Sequence, residues 1–449
     1  MKKTFALLFL ALLVASALQA QSKKQKRKRD KDKIENKYGL HLENSEVFSK
    51  SFTGFALFDA EQQQMLYEYN ADKYFTPASN TKILTFYTCL RTLGDSIPAL
   101  RYQRQGDLMV FWGTGDPSFL NPHLQQNSLV FDFLKNIKEQ LYFSAANFRD
   151  QRYGDGWMWG DYSYSYQAEK SPFPVYSNVA HFRLNDTTRN VEVQPPFLKN
   201  YLRQDTAQRY GDYIGRVEFD NQFTLNSSIP NGRDTEWHVP YRYTPGFVAE
   251  ILTDTLKRPV HVIEGKLMPP ADAGLIYSLA ADSLYRLMMQ ESDNFIAEQL
   301  LLVCSGLKFG SMNSAKMIDF SLTNYLDDLP DKPQWVDGSG LSRYNLFTPR
   351  TLVALLNKIY QTVPRSRLFN IFPAGGVSGT LQYNYRNGNA PYVFAKTGTL
   401  RNNHCLSGYL LTKKGKLLIF SFMHNNFMSG ASAMRKEMEK VLRGVYEEN

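Results

Sequence analysis

Three cysteines, Cys89, Cys304 and Cys405, in a chain of 449 residues are too few, too scattered and odd in number for a disulfide framework. Cys89 and Cys304 lie in apolar, helix-like contexts, which predicts buried thiols. The seven histidines show no H-x-x-x-H spacing and no Cys-x-x-Cys is present, so no metal site is expected. Gly113-Thr114-Gly115-Asp116-Pro117 lacks the Lys-Ser/Thr of a phosphate loop and reads as turns. No cofactor is expected. Beyond the first 20 residues nothing stays apolar for the roughly 20 positions that a membrane span needs. The formal charge of +9 is also misleading, because Lys23 to Lys33 carries eight Lys or Arg against Asp30 and Asp32, and Lys2 and Lys3 add two more. The rest of the chain is close to neutral, so a nucleic-acid-binding surface is not expected.

What is present begins with a leader. Lys2-Lys3, the apolar run Phe5 to Leu18 and the small residues Ala15, Ala17 and Ala20 read as a secretory signal peptide over 1–20, cleaved after Ala17 or Ala20. Export to the periplasm is expected; the bland alternative is an uncleaved anchor. Residues 21–44 read as a basic disordered tether. Lys23 to Lys33 is either a solvated charge run or a weak contact to an anionic leaflet or acidic wall polymers.

At this length two or more domains are expected. Gly54 to Asp59 and Met65 to Asn70 read as strands around a polar turn, followed by a helix up to about Leu93. From Arg101 to Ala273 the texture changes to turns and aromatics, with Trp157-Met158-Trp159 and Tyr162 to Tyr166. Strand-like Tyr213 to Phe219 alternates there with helical Leu129 to Gln140 and Phe247 to Leu256. The aromatics are expected mainly in packing. Helical periodicity returns at Leu275 to Gln290, Asn294 to Val303 and Pro349 to Tyr360, the last with Pro at its first position. Tyr392 to Lys396, Leu406 to Leu411 and Lys416 to Met423 read as strands, and Ala431 to Tyr446 as a terminal amphipathic helix. The expected architecture is α+β: a catalytic domain of 45–100 and 274–449, an antiparallel sheet flanked by helices, with α+β modules inserted at 101–273.

Chemistry concentrates in three short runs. In Pro77-Ala78-Ser79-Asn80-Thr81-Lys82, before apolar Ile83 to Tyr87, a Ser at the start of a helix meets unpaired backbone N–H groups, and a Lys three positions on projects from the same face. That suits an activated serine with a lysine base. Ser305 and Lys308 share the spacing and act as a decoy, as does Ser311-Met312-Asn313 for the second run. Ser292-Asp293-Asn294 lies on a break between two helices, and Lys396-Thr397-Gly398-Thr399 closes a strand. S-x-x-K, S-D-N and K-T-G in that order form a specific joint signal, although each is weak alone.

On these residues the chain resembles the penicillin-binding protein and serine β-lactamase superfamily. Asp337-Gly338-Ser339-Gly340-Leu341-Ser342 with Asn345 and Thr348-Pro349, Gly106-Asp107-Leu108 with Gly115-Asp116-Pro117, and Ser378-Gly379-Thr380-Leu381 are similar to signatures of the class C low-molecular-mass penicillin-binding proteins. The gap between Ser79 and Ser292 matches that family's habit of inserting domains. The resemblance implies a penicillin-binding transpeptidase-like fold and a D-alanyl-D-alanine carboxypeptidase and endopeptidase acting on peptidoglycan peptides and inhibited by β-lactams.

It also implies roles. Ser79 would be acylated, Lys82 would be its base, Lys396 would be a second cation lowering the Lys82 pKa with help from burial, Ser292 would relay the proton, and Asn294 would hold the substrate amide. Backbone N–H groups of Ser79 and Thr399 would hold the oxyanion. Lys396, Thr397 and Thr399, in the K-T-G run with Gly398, would receive the peptide carboxylate. Asp161 would contact the stem peptide's diamino acid, or simply cap a turn. A β-lactamase and a catalytically silent wall-binding protein are the alternatives. The Glu-x-x-Leu-Asn group of class A β-lactamases is absent, whereas Tyr176-Ser177-Asn178 formally fits the class C Tyr-x-Asn.

Overall fold

The computed structural model describes residues 42–447 apart from 125–127, 186, 189, 206–212, 227–234 and 389. The signal peptide, Lys23 to Lys33 and most of the tether lie outside the described residues. The tether's last three positions do not behave as one: Leu42–Asn44 form a 3₁₀ turn and Leu42 is buried. An apolar side chain at that point gains more from the core than from solvent.

Five antiparallel strands make the central sheet, in the spatial order Val393–Leu400, Asn403–Leu411, Leu417–Asn425, Phe52–Asp59, Gln64–Tyr69. The chain's two ends meet there, with Phe52 opposite Asn425 and Asp59 opposite Leu418. Leu417-Leu-Ile-Phe-Ser-Phe-Met-His is apolar on both faces because both faces are covered. Leu417, Ile419 and Met423 point into a helical core with Ile83, Leu84, Leu300 and Leu352. Leu418, Phe420 and Phe422 point the other way, onto Met434, Met438, Leu442 and Val445 of the terminal helix Ala431–Glu447. Period 2 in the strand and i, i+4 in the helix each place one stripe on the shared layer.

The inserted region has its own core and its own sheet, ordered Val260–Val262, Gln140–Phe143, Leu108–Gly113, Ser96–Gln105, Gly274–Ala280, beside two three-stranded sheets. Its first and last strands pair antiparallel, Gly274 with Tyr102 and Ala280 with Ser96. This strand pair runs across the boundaries expected at 101 and 273, and Ile97 at its start packs in the core of the central sheet's helices. The helix expected over Leu275 to Gln290 is likewise a strand, Gly274–Ala280, and then a helix, Ala281–Gln290. The apolar run GLIYSLA fits either state alone, and pairing with a distant segment decides it. Two other spans are shorter than expected: the helix Leu129–Asn136 stops before the strand Gln140–Phe143, and only Ile214–Arg216 of Tyr213 to Phe219 is strand.

The decoys are structural. Ser305 Oγ donates to the Ser311 carbonyl and accepts from Asn313 N–H. Asn313 caps the helix Ser314–Asn324, and the Lys308 amine lies over the Phe320 ring at 4.7 Å. Cys89, Cys304 and Cys405 are free and buried, with 3.7 Å between the first two sulfurs.

Candidate active site

The nucleophile segment differs locally from a simple helix start. Ala78–Thr81 is a 3₁₀ turn and the α-helix begins at Lys82, running to Thr92. In a 3₁₀ turn positions i and i+3 eclipse, which stacks Lys82 over Ser79 more directly than an α-helix would. The two polar atoms are 3.0 Å apart. Ala78 sits at φ 48° to make the sharp entry. Ser292 is also left-handed, at φ 61°, and Asp293 caps the helix Asn294–Phe309 by accepting from Ile296 N–H. Asn294 is thus the first residue of that helix, and its Oδ1 accepts from Lys82 Nζ at 2.6 Å.

The third segment arrives on the edge strand of the sheet. Lys396 Nζ donates to Ser292 Oγ at 2.8 Å, and the Lys396 carbonyl accepts from Asn80 Nδ2 at 2.9 Å. Gly398 lies flush against the nucleophile turn: a Cβ there would come within 2.9 Å of Ser79 N and 2.5 Å of the Pro77 carbonyl. Two backbones approach this closely only where a side chain is missing. Thr397 and Thr399 alternate onto the other, more exposed side of the strand. Thr397 Oγ1 donates to Thr380 Oγ1 at 2.8 Å, and Thr399 Oγ1 lies 2.8 Å from His404 Nδ1. Ser79, Lys82, Ser292, Asn294 and Lys396 therefore converge, while the two threonine hydroxyls stand at the rim.

The electrostatics rank the causes. The Lys82 amine is lowered to about 8, first by burial, while Asp293, Asp337 and Glu298 pull the other way. Lys396 is held well below the usual lysine range, first by burial and then by repulsion from Lys82. Burial is the first cause for both amines, and their mutual repulsion disfavours the charged form of each; the carboxylates of Asp293, Asp337 and Glu298 oppose the fall at Lys82.

Sequence reasoning gave no role to several neighbours. The Ser339 carbonyl accepts from Lys82 Nζ at 2.7 Å. Its loop is pinned by Asp337, which accepts from Gly340 N–H, Ser342 N–H, Asn345 Nδ2 and Trp157 Nε1. Gly340, at φ 88°, would place a Cβ 1.9 Å from the Ala78 carbonyl. The D-G-S-G-L-S run was a visible signal for this loop; Tyr166 had none. The Tyr166 carbonyl accepts from Asn294 Nδ2 at 3.0 Å, and burial, then its hydrogen bond with Asp161, holds its phenol well above the usual range. Asp161 lies in the turn Trp159–Asp161, one side chain removed from Asn294. Beside Ser292 a cavity of about 220 Å³ opens, lined by Tyr166, Ser177, His181 and His238 among others. Tyr176-Ser177-Asn178 is a left-handed turn there, and Asn178 is fully buried with its amide engaged by Glu169, Ser171 and Tyr241. It does not reach the lysines, which removes the class C β-lactamase reading of that run.

A half-exposed serine on a buried lysine base and an edge strand with a second buried amine suit acyl transfer on a peptide laid along the strand. Comparison with known proteins agrees. The profile of the D-Ala-D-Ala carboxypeptidase 3 (S13) family matches residues 36–445. The chain is 24% identical over 438 residues to D-alanyl-D-alanine carboxypeptidase DacB of Haemophilus influenzae, covering 89% of this chain and 91% of that one. It is 26% identical over 427 residues to the D-alanyl-D-alanine carboxypeptidase of Actinomadura sp. strain R39, covering 83% and 77%. The fold matches the crystal structure of penicillin binding protein 4 from Haemophilus influenzae with a TM-score of 0.70 at 20% identity, over 92% of this chain and 97% of that one.

Proposed function

The chain belongs to the D-Ala-D-Ala carboxypeptidase 3 (S13) family, and from that premise we propose how its residues divide the work of a serine D-alanyl-D-alanine carboxypeptidase and endopeptidase on peptidoglycan. The observation that carries the reading is the convergence of Ser79, Asn294 and Ser292 on two buried amines, Lys82 and Lys396. Neutral Lys82 takes the Ser79 proton as the hydroxyl attacks the carbonyl of the penultimate D-alanine. The oxyanion rests between the N–H groups of Ser79 and Thr399; losing one such donor typically costs about 3–4 kcal/mol. Ser292, hydrogen-bonded to Lys396, relays the proton taken up by Lys82 to the leaving amine, giving its own and receiving that one in return, so Lys82 is neutral again for the attack of water. The terminal carboxylate of the substrate pairs with Lys396, with Thr397 and Thr399 at the rim beside it. Water then releases the acyl group, and a β-lactam enters at the first step and stalls at the second.

The finer points of the reading are the diamino-acid contact of Asp161, a periplasmic location, and a loose surface contact through Lys23 to Lys33. Asp161 is supported by its link through Tyr166 to Asn294. Location is supported by the family's wall-directed chemistry; among the described residues no helix is long and apolar enough to cross a membrane. The test is mass spectrometry of the protein after penicillin, together with digestion of a pentapeptide and of cross-linked muropeptides. One long-lived adduct on Ser79, and loss of D-alanine release in Ser79→Ala, are expected. Release that persists in Ser79→Ala would end the assignment; rapid loss of the adduct would favour a β-lactamase.

A further inference from the structure

A neutral primary amine has two N–H bonds and one lone pair, and only the lone pair can accept the serine proton. Among the described residues Lys82 Nζ is hydrogen-bonded to three polar atoms: Asn294 Oδ1 at 2.6 Å, the Ser339 carbonyl at 2.7 Å and Ser79 Oγ at 3.0 Å. The first two are pure acceptors. If each takes one N–H, the lone pair is left facing the Ser79 hydroxyl. If either acceptor is lost, the amine can rotate and spend an N–H on Ser79 instead, a geometry in which no proton can be taken.

Ser339 is gripped on both sides by buried carboxylates: Asp337 accepts from Gly340 N–H, in the same peptide unit as the carbonyl, and a second carboxylate, outside the three motifs, accepts from the N–H of Ser339 itself. Glu298 is 1% exposed, and its Oε1 accepts from the Ser339 N–H at 2.7 Å. It lies four residues beyond Asn294 on the same helix, hence on the same face. That one face thereby supplies both acceptors for Lys82: Asn294 directly, and the Ser339 carbonyl through Glu298. We propose that Glu298 is a positioning residue for acylation, fixing through Ser339 the carbonyl that turns the lone pair of Lys82 onto Ser79.

The surroundings suit a fixed acceptor. Asp337, on the same loop, is ringed by four donors, whereas Glu298 is met by donors of the Gly338-Ser339 stretch alone among the described residues. Burial, and then the charge of Asp337, push Glu298 up to about 7. Oε1 accepts from Ser339 whether or not the group carries its proton, so the hydrogen bond survives titration. A carboxamide would serve as well.

The inference rests on Lys82 as the base, and the experiment separates the two. Acylation by a fluorescent penicillin is followed on the full-length protein and normalised to titrated active sites, so that a misfolded fraction drops out. Lys82→Ala should abolish acylation; if it does not, the base assignment itself fails. With that in hand, Glu298→Gln should acylate within about threefold of the parent. Glu298→Leu, which keeps volume without an acceptor, should lose about 10- to 100-fold in the saturating acylation rate with half-saturation nearly unchanged, the size expected for a misaligned reacting group. If Glu298→Leu gives no titratable sites, Glu298→Ala is read in the same way. Parental rates in both apolar variants, a loss in Glu298→Gln as large as in Glu298→Leu, or a change confined to half-saturation would each overturn the proposal.

Discussion

Substituting Gly398 by alanine tests the backbone approach between the K-T-G strand and the nucleophile turn. The added Cβ would stand 2.5 Å from the Pro77 carbonyl and 2.9 Å from both Ser79 N and Asn80 N. These are backbone atoms, so no flexible side chain can swing away. Bringing the shortest contact from 2.5 Å to an ordinary 3.4 Å requires the strand and the nucleophile turn to part by 0.9 Å. The Ser79 and Thr399 N–H groups that would share the oxyanion sit on opposite sides of that gap. A misplacement of about 1 Å commonly costs about 10²-fold in rate, and full loss of one oxyanion donor about 10²–10³-fold. Gly398→Ala is therefore expected to acylate about 10²-fold more slowly with penicillin and to release D-alanine from a pentapeptide more slowly by a similar factor. Stability should fall by only about 1–3 kcal/mol, the usual cost of overpacking. The assays are the rate of Ser79 adduct formation by mass spectrometry and a melting curve on the same sample. Parental acylation in a folded Gly398→Ala protein would refute the argument that these two segments share the oxyanion.

The base must be neutral to act, so with Lys82 at about 8 acylation should climb as pH rises through about 8 and level off above it; a limb near 10 would mean that burial does not set the base. Asp161→Ala should raise KM for a stem pentapeptide by about tenfold, in the range of one charged hydrogen bond, and leave penicillin acylation unchanged; equal loss on both would place its effect on Asn294 through Tyr166. Cys89, Cys304 and Cys405 are all buried, so a thiol reagent should titrate none of them in the native protein and all three in denaturant; reaction of any under native conditions would mean that its helix or strand opens.

Much of the architecture is legible in the amino-acid order because its periodicities are strong. The doubly apolar strand at Leu417 and the i, i+4 stripe Met434–Met438–Leu442 each have a single reading. Gly274–Ala280 does not, and the same ambiguity blurred both edges of the insertion. The site divides similarly. Ser79 with Lys82, and Ser292 with Asn294, are fixed by local spacing, so their mutual geometry follows from a turn and a helix cap. Tyr166, Glu298 and the Ser339 carbonyl act through contacts with residues far away in the chain, and Tyr166 and Ser339 do so through backbone carbonyls, which every residue type carries.

Taken alone, the order of residues determined which groups are available for chemistry and in what local register, because a turn type, a helix face and a strand's alternation depend on neighbours within a few positions. The tertiary structure decided what surrounds the base. Removal of Lys82 from water, the two acceptors on its N–H groups and the carboxylates that oppose its neutral form all come from segments brought together only by packing. Desolvation and Coulomb energy depend on distance in space, and separation along the chain carries almost none of that information.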